Sequence, residues 1–376
     1  MVKKSINSYF QAHLNIQEGD GVPRRGYRVR TRPDLINDLS DVAFLKNFRM
    51  SKTNVLRLVE RLEADLIYPT NRNTPLTPLL QVLLTLNTLA GGSFLRQTGL
   101  IGHCDPSTVQ RIMFDRVIPA ILKLKDEFIK MPDELEMAAS AQFNFDKFHL
   151  KGFAFGVDGV HCHLDKKPNA ADLPDGVDPQ RFWSVKGGYS INCQVVGNHT
   201  KKILDIVLDY PGSAHDSRIF KNSEVKAYLE QLPWLVAGDA GYAISTTLIK
   251  PYSTTEAAND PFKRLFNARL SGARTGMSEH IFGIWKALFP ILRQLRFNLK
   301  HNQEVILATA ILYNMILEWK GEGLVDAPQD LNLNYRETEA ELEIVDEEER
   351  LEGDIRANGQ AVRNWLLNDT PPPAGF

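Results

Sequence analysis

The sequence is poor in cysteine: its 376 residues include three, Cys104, Cys162 and Cys193, and no two of them form a CxxC pair. So few unpaired cysteines exclude a disulfide framework and a four-cysteine zinc site. A reducing compartment is therefore the simpler environment for the chain.

Long apolar runs are also missing. The N-terminal residues Met-Val-Lys-Lys-Ser-Ile-Asn contain no apolar segment of the kind found in a secretory signal. The best apolar run, Val305 to Leu317, is interrupted by Thr309 and Asn314 and is too short to span a bilayer. We therefore expect a soluble intracellular protein, in the nucleus or the cytoplasm, that does not bind membranes.

Net charge is nearly absent, at −2, but this total conceals an uneven distribution. Residues 321–376 contain 14 acidic and 4 basic side chains, a net charge of −10, so the preceding 320 residues carry +8. A basic body followed by an acidic tail suggests a polyanionic partner for the body. Removing the tail, residues 321–376, is then expected to tighten nonspecific DNA binding.

The sequence divides into four predicted parts. Residues 1–40 are a basic arm, 41–145 a helical domain, 146–320 an α/β domain and 321–376 an acidic tail. Within the tail, a short apolar stretch around Val362 to Leu367 stands out, but the composition favours a solvated segment.

The helical part ends in a pattern that resembles a helix-turn-helix. A short helix over 93–99 and a turn lead to a third helix, with Asp105 as its predicted cap and Pro106 in its first turn. Short helical hairpins are common, so this pattern alone is a weak indication of DNA contact. If the third helix does bind DNA, the candidate residues are Ser107, Thr108, Gln110 and Arg111.

From about residue 150 the hydrophobic period changes from helical to extended. Strands are predicted over 153–158 and 234–239, with a hairpin formed by 189–196 and 203–208. Helices are predicted over 216–232 and 278–296, the latter kinked or split at Pro290. This alternation predicts an α/β fold.

Two acidic residues follow apolar strands beside small neighbours, Asp158 before Gly159 and Asp239 between Gly238 and Gly241. Buried carboxylates need a cation. Glu279 is the one acid between Lys263 and Lys300, an interval that holds eight basic residues counting both ends. These acids either form structural ion pairs or converge on Mg²⁺ for phosphodiester cleavage.

Other candidate sites are weaker. A zinc site could be built from His161, Cys162 and His163, but no further zinc ligand lies nearby in the sequence. His161 and His163 point to the same face of a strand, and two such histidines without a third ligand are more often structural or substrate-facing than zinc ligands. His215, Asp216 and Ser217 are adjacent in sequence, which is not the geometry of a catalytic triad.

Five motifs together resemble those of PIF/Harbinger-type transposases and the proteins derived from them. They occur in the family's order over residues 150–300, and the most specific is the PGSAHDSRIF segment. The five are Gly156 to His161, Tyr189 to Val196, Asp209 to Phe220, Gly238 to Tyr252 and Phe266 to Lys286. The helical region resembles that of the family more loosely.

The resemblance implies an RNase H-like catalytic domain, with a mixed sheet and flanking helices, preceded by an all-α helix-turn-helix-like domain. By motif position, the catalytic acids and metal ligands are Asp158, Asp239 and Glu279, with Asp216 as an accessory ligand or a structural cap. The cofactor implied is Mg²⁺ or Mn²⁺, as two ions that support in-line attack on a phosphodiester. Arg274 and Lys286 would face DNA phosphates.

The same resemblance implies DNA as substrate, a Myb-like DNA-binding partner protein, a possible homodimer and a nuclear location. Two alternatives remain open. One is a domesticated DNA-binding or scaffold protein that retains the fold without transposition, and the other is an RNase H-like nuclease acting on RNA or a hybrid. Loss of metal-dependent cleavage in Asp158→Asn would favour the transposase-type nuclease.

Overall fold

The computed structural model describes residues 32–70, 75–92, 94–319 and 353–369, with side chains of the last segment described for 359–367. Most of the predicted basic arm, residues 1–31, lies outside this range, as do residues 321–352 and 370–376 of the predicted tail. Within the described segments, none of the helices is both long and apolar enough to cross a membrane.

Helices occupy the described residues before position 149, as the sequence predicts. Ser51 and Thr77 cap two of them, since their hydroxyls accept hydrogen bonds from Asn54 N and Leu80 N. Asp105 is the N-cap residue of the helix that starts at Pro106, as predicted, but its side chain makes no capping hydrogen bond. The helices are α1 Leu35–Asp38, α2 Asp41–Phe48, α3 Lys52–Leu66, α4 Pro78–Gly91, α5 Leu95–Ile101, α6 Pro106–Ile112, α7 Ile118–Leu122, α8 Lys125–Phe128 and α9 Glu134–Phe148, with a π-helical turn at Met113–Val117.

A five-stranded mixed sheet follows, in the spatial order β3-β2-β1-β4-β5. Its first three strands pair antiparallel, whereas β4 joins β1 and β5 joins β4 in parallel. The strands are β1 Phe153–His163, β2 Ser190–Gly197, β3 Ile203–Pro211, β4 Leu235–Ala237 and β5 Leu248–Ile249. This arrangement is the mixed α/β sheet that the sequence predicts, and it is consistent with an RNase H-like domain.

Helices flank the sheet and connect its strands. The predicted helix over 216–232 is two short helices, and the one predicted over 278–296 begins with a π-helical turn, Thr275–Glu279, and ends before Pro290. Pro290 therefore terminates the helix, as its missing N–H predicts. The helices are α10 Asp216–Lys221, α11 Glu224–Leu229, α12 Thr254–Ala257, α13 Pro261–Arg274, α14 His280–Leu288, α15 Leu299–Glu318 and α16 Gly353–Asp369.

One large hydrophobic core joins the helical region to the sheet. It includes Phe44 of α2, Ile191 of β2 and Ile311 of α15, all fully buried. The helices before residue 149 thus share a core with the later strands and with α15. The separation into domains at residue 145 stays a prediction, since a shared core does not locate a boundary.

The last helix packs on the edge of the sheet that carries β5, which differs from the prediction of a solvated tail. Leu366 is fully buried, and Tyr252 lies under the guanidinium of Arg363, 3.9 Å from it. A Cβ on Gly359 would lie 2.7 Å from the carbonyl oxygen of Ser245, so a glycine permits this close approach. The apolar stretch noted in the sequence is therefore a docked helical face.

The parallel pairing of β1 and β4 determines where the acids meet. The register aligns Gly156 with Ala237, the last residue of β4. Asp158 and Asp239 each lie two residues beyond this pair. Since parallel strands run in the same direction, equal steps past one pair bring the two carboxylates to the same opening of the sheet.

Candidate active site

Three aspartates converge at this opening. Asp158 comes from β1, Asp239 from the loop after β4, and Asp216 from the first turn of α10. One carboxylate oxygen from each lies within 4.8 Å of those of the other two. Across the described segments, this is the group of His, Cys, Asp or Glu side chains arranged to hold a metal ion. The zinc alternative at His161 and His163 has no such third ligand there.

Short-range hydrogen bonds orient all three carboxylates. Asp158 Oδ1 accepts from Gly159 N at 2.9 Å, and Asp239 Oδ1 accepts from Gly241 N at 2.9 Å. Asp216 Oδ1 accepts from the amide Nδ2 of Asn192 at 2.7 Å. Backbone and amide donors favour the ionised form of a carboxylate, and they reduce the rotamer freedom lost when a ligand binds.

The glycine after Asp158 makes room for Asp216. A Cβ built on Gly159 would lie 2.3 Å from Asp216 Oδ1, which is closer than van der Waals contact allows. Hydrogen in place of a side chain therefore lets the carboxylate of α10 rest against β1. This explains, in packing terms, why the aspartate on β1 is followed by glycine.

Asp158 is the most deeply buried of the three acids, with 7% of its surface exposed. Burial raises the pKa of its carboxyl well above the ordinary value, and the nearby Asp239, Asp216 and Glu279 carboxylates raise it further, while Arg274 opposes them. A carboxylate whose neighbours penalise its charge to this extent gains most from an added cation.

Glu279 joins the site through Arg274. The guanidinium donates from Nη1 to Asp158 Oδ2 and from Nη2 to Glu279 Oε1. Thr275 Oγ1 also donates to Glu279 Oε2 at 3.1 Å. Glu279 thus faces the aspartates across one basic side chain, at the end of the π-helical turn Thr275–Glu279, a feature frequently found at functional sites.

The resemblance implies that Arg274 faces DNA phosphates, and this stays a prediction. The Arg274 side chain is 16% exposed and lies between the Asp158 and Glu279 carboxylates. Burial alone would lower its pKa, but the two carboxylates together raise it. Lys286 is the other residue predicted to face phosphates, and its ammonium donates a hydrogen bond to the backbone carbonyl of His161 at 3.0 Å.

Two polar residues of β2 contribute to the site without having been predicted. Asn192 supports the Asp216 carboxylate, and Gln194 Nε2 donates to the Asp216 carbonyl and to the Tyr242 hydroxyl, each at 2.9 Å. Both side chains are buried. The available signal was their spacing of two on an apolar strand, which places both on one face of the sheet.

The buried oxygens around the aspartates fit a hard divalent cation. Within the described residues, Asn192 Oδ1 and Gln194 Oε1 are buried without a hydrogen-bond donor. The three aspartates offer carboxylate oxygens, the ligand type that Mg²⁺ and Mn²⁺ prefer. The residues present are therefore suited to the metal ions that the sequence resemblance implies.

The predicted DNA-contact residues lie on α6. Ser107, Gln110 and Arg111 are exposed, and Thr108 is half-buried. This exposure leaves three of the four side chains accessible to a partner, while Val109 and Ile112 of the same helix are buried in the core.

Comparisons with known proteins agree with this geometry. A family model described as DDE superfamily endonuclease matches residues 157–314. "Putative nuclease HARBI1" of Rattus norvegicus is 26% identical over 305 residues, which cover 78% of this chain and 82% of the relative. Its human counterpart is 26% identical over 306 residues with the same coverage. "Protein ALP1-like" of Arabidopsis thaliana is 21% identical over 350 residues, covering 86% and 81%. No solved structure matches the chain.

Proposed function

Because the chain contains a DDE superfamily endonuclease domain and is homologous to HARBI1, we propose that it is a metal-dependent endonuclease that cleaves DNA phosphodiester bonds at transposon ends. The observation that supports this most directly is the convergence of Asp158, Asp216 and Asp239 within 4.8 Å. All three lie inside the range matched by the endonuclease family.

In this proposal the three aspartates hold Mg²⁺ or Mn²⁺. A bound divalent cation would activate the attacking water or hydroxyl and stabilise charge on the departing oxygen. The hydrogen bonds from Gly159, Gly241 and Asn192 keep the carboxylates oriented, so little reorganisation is needed when substrate arrives.

Glu279 and Arg274 have a second role in the proposal. The sequence resemblance implies two ions, and Asp158 is the acid in contact with the cluster and, through Arg274, with Glu279. We assign Asp158 as the shared ligand and Arg274 as a positioning residue, which keeps Glu279 beside Asp158. The Myb-like partner, the nuclear location and a homodimer remain proposals that follow from the resemblance alone.

The experiment is a nicking assay with the full chain on supercoiled plasmid and on a terminal-repeat duplex, with Mg²⁺ or Mn²⁺. Asp158→Asn should reduce the nicking rate by at least about 100-fold. Even mutation of a residue that only hydrogen-bonds to a metal ligand lowers metal affinity or activity about 10- to 100-fold. Asp209→Asn is the matched control, because this acid is exposed near the end of β3. Equal rates for both variants would contradict the proposal.

The same preparations separate the alternatives. Calorimetry with Mn²⁺ should show binding that is lost in Asp158→Asn. The same measurement on Asp216→Asn and Glu279→Gln shows which of these two acids is also a ligand of the ion. A protein that binds no Mn²⁺, and whose DNA binding is unchanged by Asp158→Asn, would instead be a scaffold. Preferential cleavage of RNA or an RNA–DNA hybrid would favour the RNase H-like alternative.

A further inference from the structure

A cleft separate from the acidic cluster lies between three parts of the chain. It has a volume of about 630 Å³ and is lined by the start of α5, the segment that leaves β1, and the residues around the start of α15. Gln110 of α6 also lines it. One of the four side chains predicted to contact DNA therefore faces this cleft.

The lining of the cleft is basic. Arg96, Lys166, Lys167 and Arg296 contribute positive charge, against Asp172 in the lining and Asp165, whose Oδ1 lies 4.0 Å from Arg296 Nε. Arg96, Lys166 and Lys167 are exposed. Lys167 Nζ donates a hydrogen bond to Gln180 Oε1 at 3.2 Å, and because this acceptor is neutral it does not offset the charge of the lysine. Such a concentration of one sign of charge attracts a polyanion.

An exposed aromatic ring stands at the edge of the cleft. Phe94 is 61% exposed, and the Arg296 guanidinium lies 4.6 Å from its ring centroid. Arg296 is itself fixed, because its Nη1 donates to the Gly92 carbonyl at 2.9 Å. An exposed aromatic ring beside exposed basic side chains is how proteins bind a nucleic acid strand, with a base on the ring and phosphates on the cations.

The cleft is within reach of the DNA held at the acidic cluster. Leu164 lines the cleft and lies just beyond β1, the strand that carries Asp158. Six residues of extended strand separate them, which is about 20 Å. A DNA strand advances about 3.4 Å per nucleotide, so this distance corresponds to about six nucleotides.

We propose that this cleft binds the DNA strand flanking the cleaved phosphate, with phosphates at Lys166 and Lys167 and a base against Phe94. The proposal rests on DNA being the substrate, as proposed above, and it adds the subsite that holds the flank. It assigns the segment after β1 and the start of α5 to one continuous binding surface with Gln110.

The test measures binding of the full chain to a fluorescein-labelled DNA duplex of about 30 base pairs, and to one strand of it, by anisotropy in EDTA. Titrations span about 50 to 200 mM salt, where phosphate contacts dominate the salt dependence. Lys166→Ala/Lys167→Ala should bind more weakly and reduce the slope of log affinity against log salt by about 1.8, since each contact contributes about 0.9.

Lys46→Ala/Lys130→Ala is the matched control for charge, because both lysines are exposed and neither lines the cleft. It should leave the slope unchanged. A slope that falls equally in both double variants, or in neither, would overturn the proposal. Thermal melting should be the same for all of these variants, since the four lysines are exposed.

Phe94→Ala separates a DNA strand from a small anion. Loss of one base stack should weaken binding of the single strand, whose bases are free to stack on the ring, about tenfold without changing the salt slope. Phe262→Ala, on a ring that is 53% exposed elsewhere, is the control and should have no effect. If Phe94→Ala binds like wild type and inorganic phosphate displaces the duplex through the lysines, the cleft is an anion site and the strand proposal is wrong.

The nicking assay distinguishes failure of this inference from failure of the proposed function. If the cleft variants bind DNA like wild type, and nicking depends on metal and is abolished by Asp158→Asn, only the cleft proposal is rejected. The opposite outcome is that the cleft variants bind DNA poorly, while the protein neither nicks DNA nor binds Mn²⁺ and Asp158→Asn has no effect on DNA binding. That outcome would reject the nuclease and support the cleft as the surface for DNA.

Discussion

The imidazole of His161 offers a quantitative test of its buried environment on β1. Burial lowers its pKa from 6.5 to about 3, with further contributions from Lys186, His163 and Lys286. The ring also lies 3.0 Å from Ser190 Oγ through Nδ1. His161 is therefore neutral in the folded protein over a pH range in which the unfolded chain binds a proton.

The sign of the effect follows from the lowered pKa. The contribution of His161 to stability is fully present above pH 6.5 and is lost as the pH falls toward 3, because protonation favours the unfolded chain. Between about pH 7.5 and about pH 5, these two pKa values give a loss of about 2 kcal/mol in the free energy of unfolding from this one group.

The assay is urea unfolding at both pH values for wild type, His161→Gln and Ser190→Ala. His161→Gln removes the titrating group, so its stability should fall about 2 kcal/mol less than that of wild type between the two pH values. Ser190→Ala removes the hydrogen bond but leaves the ring buried, and it should retain the wild-type pH difference. An identical pH difference in His161→Gln and wild type would refute the reasoning.

Three further predictions concern the site and the last helix. Arg274→Met should lower the free energy of unfolding in EDTA by about 3 kcal/mol, because it leaves partly buried carboxylates without their cation, and Mn²⁺ should restore part of it; no loss in urea unfolding would contradict this. Gly159→Ala should weaken Mn²⁺ binding at least about tenfold in calorimetry by displacing Asp216, whereas Gly276→Ala, with open space around its Cβ, should bind Mn²⁺ like wild type. Leu366→Ala should destabilise the protein by about 3 kcal/mol, since this side chain is fully buried; unchanged thermal melting would show that α16 contributes nothing to the fold.

The strands and the meeting of two acids were predictable from local patterns. Apolar runs ending in an acid predict that Asp158 and Asp239 lie at strand ends. Asp239 does follow β4, but β1 continues five residues past Asp158 to His163, so parallel pairing brings Asp239 beside the middle of β1. The sequence motifs also included Asp216. Its approach to the other two acids depends on the missing side chain of Gly159, a contact across 57 positions that no local pattern encodes.

The position of Arg274 was not predictable in the same way. A basic residue near an acid in a basic stretch is compatible with both a DNA contact and an internal ion pair. The choice depends on the π-helical turn after it, which sets the direction of Glu279 relative to Asp158. Helical periodicity over 278–296 does not reveal such a local change in winding.

The docking of α16 changes how the acidic segment must be tested. Residues 321–352 contain twelve acidic and two basic side chains, so the whole charge of −10 precedes this helix. α15 precedes that segment and α16 follows it, and both helices pack on the described part of the chain. Deleting residues 321–376 would also remove the buried Leu366 and confuse charge with stability. Replacing the eight acids between 337 and 349 by Asn and Gln isolates the charge, and it should tighten nonspecific DNA binding at low salt. Unchanged or weaker binding would mean that the segment does not compete with DNA.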